Sequence, residues 1–381
     1  MPASRRRSTT LVLCASSAVA LIASACSSSG SKSNAGGSTP TATAASASAT
    51  PSAGSAAPSS SGGADAAGLA AACTAAESEG QLNFRDTTDA DVFAKEVAPF
   101  EQKYPKIKVN FGSQRPQDSV QNVVAQVQAG HQLDVDAISI DYPSAGPLIQ
   151  QNLIASVDWP SLGVPASDVL NDQGAQFVRT QRIILGLGYN TQLVKASDLP
   201  NTWDELINSK WVGKVIVDPR GEYLSGLGIA WGEQKAVDWY TNFVKTDKPL
   251  VVKGATASLQ KVISGEADLT TSSHDAEIRE QQAKGAPVDI KYLDVVPTQD
   301  HYAIVLKGAP HPNAAKCFLG WWVSPDGGQA AQLKYEYKGN QTEPEGVPAS
   351  SKLGAISSPD DAALQTSVAS KFAKLTPGGG S

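Results

Sequence analysis

The segments IKVNF at residues 107–111, DSVQNVVAQVQA at 118–129 and VDAISI at 135–140 decide the fold class. The first and third segments have the apolar, β-branched composition of strands. The middle segment instead repeats valine at the spacing of one helix face, at Val120, Val123, Val124 and Val127. A helix between two strands at this spacing predicts a βαβ unit and therefore a largely parallel sheet.

The same alternation continues on both sides of this unit. Apolar patterning predicts further strands, which lie at residues 81–85, 181–187, 214–217, 268–271, 288–292 and 302–306. It predicts further helices at residues 69–79, 91–104, 235–244 and 314–323. The patterned region, about residues 69–376, is too long for one comfortable core. We therefore expect two α/β lobes, with strand 302–306 returning to the first lobe and a ligand cleft between the lobes.

The N-terminus has the layout of an export signal. Arg5, Arg6 and Arg7 precede an apolar run at residues 11–23, which small residues follow. We assign residues 1–25 to a signal peptide. The stretch LIASAC at 21–26 also resembles a bacterial lipobox, which implies a lipid anchor on Cys26 at the outer face of the cell membrane. The alternative is ordinary signal cleavage, in which Cys26 has no role.

Residues 26–68 read as a tether. From Ser27 to Gly68 almost every residue is Ser, Ala, Gly, Thr or Pro, a composition that cannot bury a core. The formal net charge is −6, and loss of the three arginines in residues 1–25 brings it to −6 − 3 = −9. An acidic chain without a basic stripe argues against a nucleic-acid partner.

Cysteine usage points to an oxidising compartment. Cys14 leaves with the signal and Cys26 is the proposed anchor, so that Cys73 and Cys317 remain as a pair. They form either a disulfide, which is our prediction, or two separate buried thiols.

Several short motifs together resemble the ferric-iron-type family of ABC solute-binding proteins. They are GYNT at 188–191, LPNTWDEL at 199–206, KWVGK at 210–214, DPR at 218–220, KGAPHPNAAK at 307–316 and SPDG at 324–327. The resemblance covers about residues 81–347. It implies a type II periplasmic-binding-protein fold, an ABC permease and ATPase as partners, and transport rather than catalysis.

We accordingly divide the mature protein into two discontinuous lobes. Lobe I comprises residues 69–182 and 298–335, and lobe II comprises residues 183–297 and 336–376. We expect a monomer that carries no cofactor.

One departure from the family pattern bears on the ligand. Ferric-binding members carry adjacent tyrosines shortly after the strand that follows a Gly-Glu turn. Here Gly265-Glu266 is followed by TTSSHD at 270–275, which contains no tyrosine. Serine and threonine hydroxyls are poor ligands for bare ferric iron. We therefore expect a small anion, such as a phosphonate, phosphate ester or carboxylate, with ferric iron or an iron chelate as the alternative.

The expected ligand site lies at strand carboxyl ends and helix N-termini, where free amides favour anions. The candidate residues follow predicted strands: Asp86, Thr87, Thr88, Ser113, Gln114, Arg115, Asp141, Tyr142, Asp218, Arg220, Gly221, Ser272, Ser273, His274 and Asp275. Arg115 and Arg220 would each offer a bidentate fork to an anion. Structural roles compete with this assignment: Arg115 as a solvated loop residue, Arg220 paired with Asp218 or Glu222, and Asp86 as a helix cap.

Enzymatic alternatives have less support from the sequence. Ser273, His274 and Asp275 are consecutive, whereas a catalytic triad needs side chains that converge from separate elements. The sequence contains no Gly-x-Ser-x-Gly elbow or phosphate-binding Walker loop. An exported hydrolase on an unfamiliar α/β scaffold and a sensory binding protein remain as alternatives to a transport receptor.

Overall fold

The structure is a computed structural model that describes residues 62–340 and 346–379, with side chains from Ala67 onward. The predicted signal, the Cys26 anchor and almost all of the tether lie outside the described residues. Among the described helices, none combines the length and the hydropathy that a membrane-spanning segment needs.

Eleven described strands form one connected sheet system. They are β1 (Gln81–Asp86), β2 (Lys108–Ser113), β3 (Ala137–Ile140), β4 (Val169–Asp172), β5 (Ala175–Asn190), β6 (Val215–Val217), β7 (Leu250–Val251), β8 (Leu269–His274), β9 (Val288–Lys291), β10 (Val295–Val305) and β11 (Lys352–Gly354). The central order is β2-β1-β3-β10-β5-β8-β6-β7.

Twelve described α-helices cover this sheet system. They are α1 (Gly62–Glu79), α2 (Ala90–Lys103), α3 (Pro116–Gln128), α4 (Gly146–Gln150), α5 (Trp203–Leu206), α6 (Gly226–Trp231), α7 (Glu233–Asp247), α8 (Ala255–Ile263), α9 (Asp275–Ala283), α10 (Pro312–Trp322), α11 (Ala330–Glu336) and α12 (Pro359–Leu375).

The strand pairing separates two lobes. In lobe I, β1 pairs in parallel with β2 and β3. In lobe II, β6 pairs in parallel with β7 and β8. The long strands β5 and β10 run antiparallel to each other, and they also pair with β8 and β3 respectively. The predicted two-lobed α/β fold is confirmed, and β10 returns to lobe I at Tyr302, opposite Ile140.

Each lobe has its own apolar core. In lobe I, Phe84, Phe100 and Trp322 pack on one side of the sheet, and Val123 and Ile138 belong to a second cluster. In lobe II the main cluster includes Trp203, Trp239, Phe243 and Phe372, and a second one includes Ile216 and Leu259. Burial of these large side chains supplies most of the driving force for folding each lobe.

The C-terminal part of the chain is shared between the lobes. We assigned residues 336–376 to lobe II, yet Ala362 near the start of α12 packs in a lobe I cluster. Phe372, near the end of the same helix, packs in lobe II. Upstream, the carbonyl of Gly339 accepts a hydrogen bond from the Arg182 amide at 2.8 Å. Residues 336–376 therefore contact both lobes rather than lobe II alone.

A disulfide joins Cys73 on α1 to Cys317 on α10, with an S–S distance of 2.03 Å. Both residues lie in the main core of lobe I and are fully buried. The bond ties the first described helix to a helix 244 residues further along the chain.

A buried ion-pair network, which we call the hinge cluster, lies on β5 and β10, the strands that cross between the lobes, and on the turn before β4. It consists of Asp168, Arg179, Arg182 and Asp300. Arg182 forms two hydrogen bonds to the Asp300 carboxylate, at 2.9 and 2.7 Å. Arg179 pairs with Asp168 and also donates to the amide oxygen of Asn340. The cluster therefore fastens the segment after α11 to the strands that connect the lobes.

Candidate functional site

A cavity of about 320 Å³ lies where the two lobes meet. Lobe I contributes Gln117 from the start of α3 and Asp141 and Tyr142 from the turn that follows β3, and lobe II contributes Glu222 and Ser225. Strand β10 and α12 supply the remaining polar side chains, namely Gln299, Asp300, His301, Gln365 and Thr366. The cavity thus touches both lobes and a connecting strand, as a ligand cleft in this fold class should.

One end of the cavity is acidic. Asp141 caps the turn that follows β3, accepting from the Ser144 amide at 2.9 Å. Burial raises the pKa of Glu222, Arg220 lowers it, and the carboxylates of Asp218 and Asp141 raise it. Asp141 and Glu222 line the same cavity from opposite lobes, so that their negative charges face one space. A hydrogen-bond donor or cation held between them would relieve this repulsion.

At the other end His301 lines the cavity, and His274 lies near His301 at the end of β8. Burial lowers the pKa of His301, while Asp86 and Asp141 from lobe I raise it. Burial, with the Lys338 ammonium and His301, lowers the pKa of His274 to about 3. Both rings are therefore neutral at physiological pH, and each has one N–H to donate and one nitrogen to accept.

His274 is the most constrained of the candidate residues. It ends β8, its side chain is 18% exposed, and its ring stacks on Tyr223 with centroids 5.4 Å apart. Its Nε2 atom is buried and has no hydrogen-bond partner among the described residues. A buried nitrogen without a partner is costly, which makes it a natural position for a ligand contact.

Two cations act on His274 from different parts of the chain. Arg220 and Lys338 both lower its pKa, in addition to burial. Lys338 follows α11, and its Nζ donates to Glu336 Oε1 at 2.9 Å. Neutral imidazoles and cations together make this end of the cleft a donor-rich region, opposite in character to the Asp141–Glu222 end.

Arg220 is held by its neighbours on lobe II. Its guanidinium donates twice to Asp218, at 2.9 Å each, and once to the Tyr223 hydroxyl at 3.3 Å. Glu222 lies 3.4 Å away, and the side chain is 39% exposed. Arg220 therefore pairs with Asp218 and Glu222, as its structural alternative predicts. The guanidinium nevertheless remains partly exposed to solvent.

Arg115 lies apart from this cluster. It caps the N-terminus of α3 through its backbone, and its side chain is exposed. Within the described part of the chain its guanidinium has no ion-pair partner. The residues just before it, Ser113 and Gln114, line a separate polar groove of about 300 Å³ on lobe I.

The first candidate loop is an internally bonded turn. Asp86 is buried at the end of β1, and its Oδ1 accepts from the backbone amide and the hydroxyl of Thr88, at 2.8 and 2.9 Å. Thr87 is exposed between them. Asp86 thus holds its own loop, while its charge acts on His301 in the cleft.

Some of the remaining candidate side chains after β3 and β8 form hydrogen bonds within the protein, and others do not. Tyr142 lines the cavity, but its hydroxyl donates to Asp172 at 2.7 Å. Ser273 donates to the carbonyl of Gly186 at 3.1 Å, whereas the buried Ser272 hydroxyl has no partner among the described residues. Burial raises the pKa of Asp275 to about 6, and hydrogen bonds from backbone amides lower it.

Gly221 lies against α12. Its φ of +75° is in the left-handed region, and a Cβ there would come within 2.4 Å of the Ala369 carbonyl oxygen. Its role is thus close packing next to Arg220.

Several residues that line the cavity were not among the sequence candidates, notably Glu222, Gln299 and His301. Lys338, which lines a separate small cavity, was also missed. Gln299 and His301 lie in the middle of a strand rather than after one, so a rule based on strand ends could not find them. Lys338 lies just before the undescribed residues 341–345, in a segment without strand or helix patterning. A polar run inside an otherwise apolar strand, TQDH at 298–301, was the available signal. No group of three or more metal-ligating side chains is found among the described residues.

Comparison with known proteins places this geometry in a family. The family model described as "Bacterial extracellular solute-binding protein" matches residues 95–352. The "Iron uptake protein A1" of Synechocystis sp. is 30% identical over 178 residues, an alignment that covers 42% of this chain and 48% of that protein. The matched stretch thus spans about half the length of this relative.

Solved structures show the same fold at low identity. Iron-bound HitA from Pseudomonas aeruginosa aligns with a TM-score of 0.60 and 18% identity, covering 78% of this chain and 99% of that one. The periplasmic binding protein AfuA from Actinobacillus pleuropneumoniae, with fructose-6-phosphate bound, gives 0.57 and 17%, covering 78% and 99%. With two lobes, a cleft between them and a family match over most of its folded part, the chain belongs to the bacterial extracellular solute-binding protein family.

Proposed function

We propose that this protein captures a small oxygen-rich anion between its lobes and delivers it to an ABC permease and ATPase. The observation that carries the ligand class is the convergence of His274 and Arg220 on Tyr223, since the imidazole stacks on its ring and the guanidinium donates to its hydroxyl. Lys338, from a third segment, lines a small cavity together with Asp275, the residue after His274. An anion at this end would take a hydrogen bond at the unpartnered His274 Nε2, provided that the N–H is on that nitrogen.

Binding at this position would favour closure. Glu336, which holds Lys338, is at the end of α11 beside α2 of lobe I, whereas His274 and Arg220 belong to lobe II. A ligand shifts the balance between open and closed forms only by its difference in affinity for the two. An anion that contacts both groups at once gains that difference in the closed form.

The acidic end of the cavity further restricts the class of ligands that would fit. Asp141 and Glu222 repel a second anionic group but accept from hydroxyl or ammonium groups. The cleft therefore suits an anion that also carries donors, of which a sugar phosphate is one example. The fructose-6-phosphate bound to AfuA, a protein of the same fold, is consistent with this class.

A thermal-shift screen tests the ligand class directly. Phosphonates, sugar phosphates, carboxylates, polyamines and ferric chelates should be compared on the mature protein. A true ligand at a hundred times its Kd stabilises the folded state by about 2.7 kcal/mol. Stabilisation by a polyamine alone would overturn the anion proposal.

The two arginines provide the matched mutational test. Loss of a charge-assisted contact costs about 1.5–3 kcal/mol, so that Arg220→Ala should weaken binding roughly ten- to a hundredfold. Arg115→Ala tests the lobe I contact that the sequence suggests. Calorimetry measures both affinities, and scattering follows closure. Unchanged anion affinity in both variants would sink the proposal.

Ferric iron or an iron chelate is the second candidate. The iron uptake protein of Synechocystis and iron-bound HitA support it by likeness, and the cavity offers oxygen ligands in Asp141, Glu222 and Tyr142. Burial and the bond to Asp172, however, raise the pKa of Tyr142, so that its phenolate is disfavoured. A charge-transfer absorption band on addition of ferric citrate would favour iron over a phosphate ester.

We also propose that the mature protein begins at a lipidated Cys26 and is held at the outer face of the cell membrane. The lipobox-like LIASAC and the tether after it support this. A Cys26→Ala variant should be released or left unprocessed. Unchanged fractionation with membranes would contradict the anchor.

Binding rather than catalysis is the proposed activity. Turnover assays on generic esters and phosphoesters should stay at background while ligand-induced closure is observed. Turnover that depends on His274 would instead favour the exported hydrolase. Neighbouring genes for a permease and an ATPase would separate transport from sensing.

A further inference from the structure

Glu96 is a fully buried carboxyl on the core-facing side of α2. It has no exposed surface, and Phe93, Val97 and Phe100 on the same helix are buried beside it. A lone carboxylate in such surroundings would be very unfavourable, because burial removes its hydration. The group must therefore be neutral or be compensated by what faces it.

The facing group is another carboxyl, at the end of α11. Burial, together with the charges of Glu336 and Asp86, raises the pKa of Glu96 to about 8, and Lys338 lowers it. Helix α11, which ends at Glu336, packs against α2, so that the two carboxyl groups lie close together. The charged groups acting on Glu96 thus come from α11, β1 and the segment after α11.

Three carboxyl oxygens in this cluster have no conventional donor. They are Glu96 Oε1, Glu96 Oε2 and Glu336 Oε2, all buried and unpartnered among the described residues. The fourth, Glu336 Oε1, accepts from Lys338 Nζ at 2.9 Å. Two ionised carboxylates cannot bond to each other, whereas one shared proton satisfies the facing oxygens of both.

We propose that Glu96 and Glu336 share one proton at neutral pH, and that this bond holds the end of α11 so that Lys338 stays beside the cleft histidines. Glu96 is the O–H donor and Glu336 Oε2 the acceptor. Glu336, with one negative charge, then pairs with Lys338. The use of Lys338 by the ligand rests on the proposed function, whereas the shared proton does not.

The local backbone supports the second half of this inference. Tyr337 has a φ of +57°, a left-handed turn that directs the chain away from α11 at Lys338. Gly339 and Asn340 are bonded to Arg182 and Arg179 of the hinge cluster. Lys338 is therefore held on one side by the carboxyl pair and on the other by the crossing strands.

The first test is the pH dependence of unfolding in urea. Because the folded chain keeps a proton that the unfolded chain releases, stability falls as the pH rises from the unfolded pKa of Glu96 to about 8. The folding equilibrium constant should drop by up to about tenfold per pH unit from this group. Between pH 6.5 and 8, wild type should therefore lose stability.

Glu96→Gln is the matched variant. Its amide keeps a donor for Glu336 Oε2 but does not titrate, so that its stability should be flatter with pH in this window. An equal slope in wild type and Glu96→Gln would overturn the shared proton. If Glu96→Gln fails to fold, the infrared carbonyl band of a protonated carboxylic acid in wild type at pH 7 decides, and its absence overturns the proposal.

The second test follows Lys338 without any ligand. Labelling by an amine-reactive ester is compared between Lys338 and Lys334, which lies on α11 and serves as the internal standard. Glu96→Ala removes the donor, so that the Lys338 to Lys334 ratio should rise several-fold, while Glu96→Gln should restore it. An unchanged ratio in Glu96→Ala would show that the pair does not position Lys338.

Discussion

The hinge cluster and the cleft both bury charged and polar groups, but they satisfy them differently. In the hinge cluster, Asp300 accepts two hydrogen bonds from Arg182, and Arg179 is shared between Asp168 and Asn340. Beside the cleft, on β8, His274 Nε2 and the Ser272 hydroxyl have no partner among the described residues. The hydrogen bonds of the hinge cluster are therefore satisfied without a ligand, whereas those of the cleft region are not.

This difference separates architecture from function. Buried polar groups in native proteins are nearly always hydrogen-bonded, because an unmade bond costs free energy. The hinge cluster is fully hydrogen-bonded, so that a structural role in joining the connecting strands is enough to account for it. A buried imidazole nitrogen that lacks a partner beside a cavity between two lobes is explained by a ligand that arrives later. The predictions below ask whether the two regions respond to mutation as this distinction requires.

The largest expected effect concerns the Cys73–Cys317 disulfide in lobe I, which, like the hinge cluster, needs no ligand. A disulfide across 244 residues should stabilise the protein by about 4–5 kcal/mol in chain-entropy models, often less in practice. Urea unfolding with and without reductant measures the difference. Thiol counting on unfolded, unreduced protein is the check, since two free thiols would exclude the bond.

The next effect tests the hinge cluster itself. Asp300→Ala leaves Arg182 buried with its main partner removed, which should cost about 3–5 kcal/mol of unfolding free energy. The matched control is Asp268→Ala, which breaks an ion pair to the half-exposed Lys214 at 3.0 Å and should cost no more than about 1 kcal/mol. Similar losses in both variants would mean that the hinge cluster is no more structural than a surface pair.

The sequence predicted the two lobes because periodicity reports burial, and burial follows from the fold. The valine stripe of α3 packs, through Val120 and Val123, in a lobe I core. Strand β5 was predicted only at residues 181–187, although it spans Ala175–Asn190. Its first half contains Arg179, which no apolar pattern marks, because its burial depends on Asp168 and Asn340, which are distant in the sequence.

The candidate site was less predictable for the same reason. Strand-end rules led to Asp141, which lines the cavity, to Asp218, which holds Arg220, and to His274, which stacks on Tyr223. They could not find His301 or Lys338, whose place follows from the crossing of β10 and the anchoring of residues 337–340. Whether Arg220 is paired or free also depends on the tertiary positions of Asp218 and Glu222, not on its spacing.

In the cleft region, replacement of His274 should weaken ligand binding more than it lowers the free energy of unfolding. Loss of its hydrogen bond in His274→Ala should weaken anion binding by about 1.5–3 kcal/mol, or roughly ten- to a hundredfold. Calorimetry with the best ligand from the thermal-shift screen measures this, with the exposed His131→Ala as control. Equal affinities in the two variants would remove His274 from the site.

The smallest effect is the acid response of His274, and its sign follows from linkage. The pKa of His274 is lowered to about 3 in the folded protein, from 6.5 in the unfolded chain. Below pH 6.5 the unfolded chain therefore binds a proton that the folded chain does not, and stability falls as the pH falls. At pH 5.5 the loss of unfolding free energy from this group is about 1.4 kcal/mol relative to neutral pH.

His274→Gln removes that loss without introducing a charge. Once their difference at neutral pH is subtracted, wild type should lose about 1.4 kcal/mol more unfolding free energy than the variant on acidification from pH 7.5 to 5.5. His301 is also buried with a lowered pKa, but it is present in both proteins and cancels in the comparison. Urea midpoints at the two pH values give the result, with His131→Gln expected to follow wild type. Identical acid sensitivity in His274→Gln and wild type would mean that His274 is protonated in the folded protein, and the donor-rich end of the cleft would then carry one more positive charge.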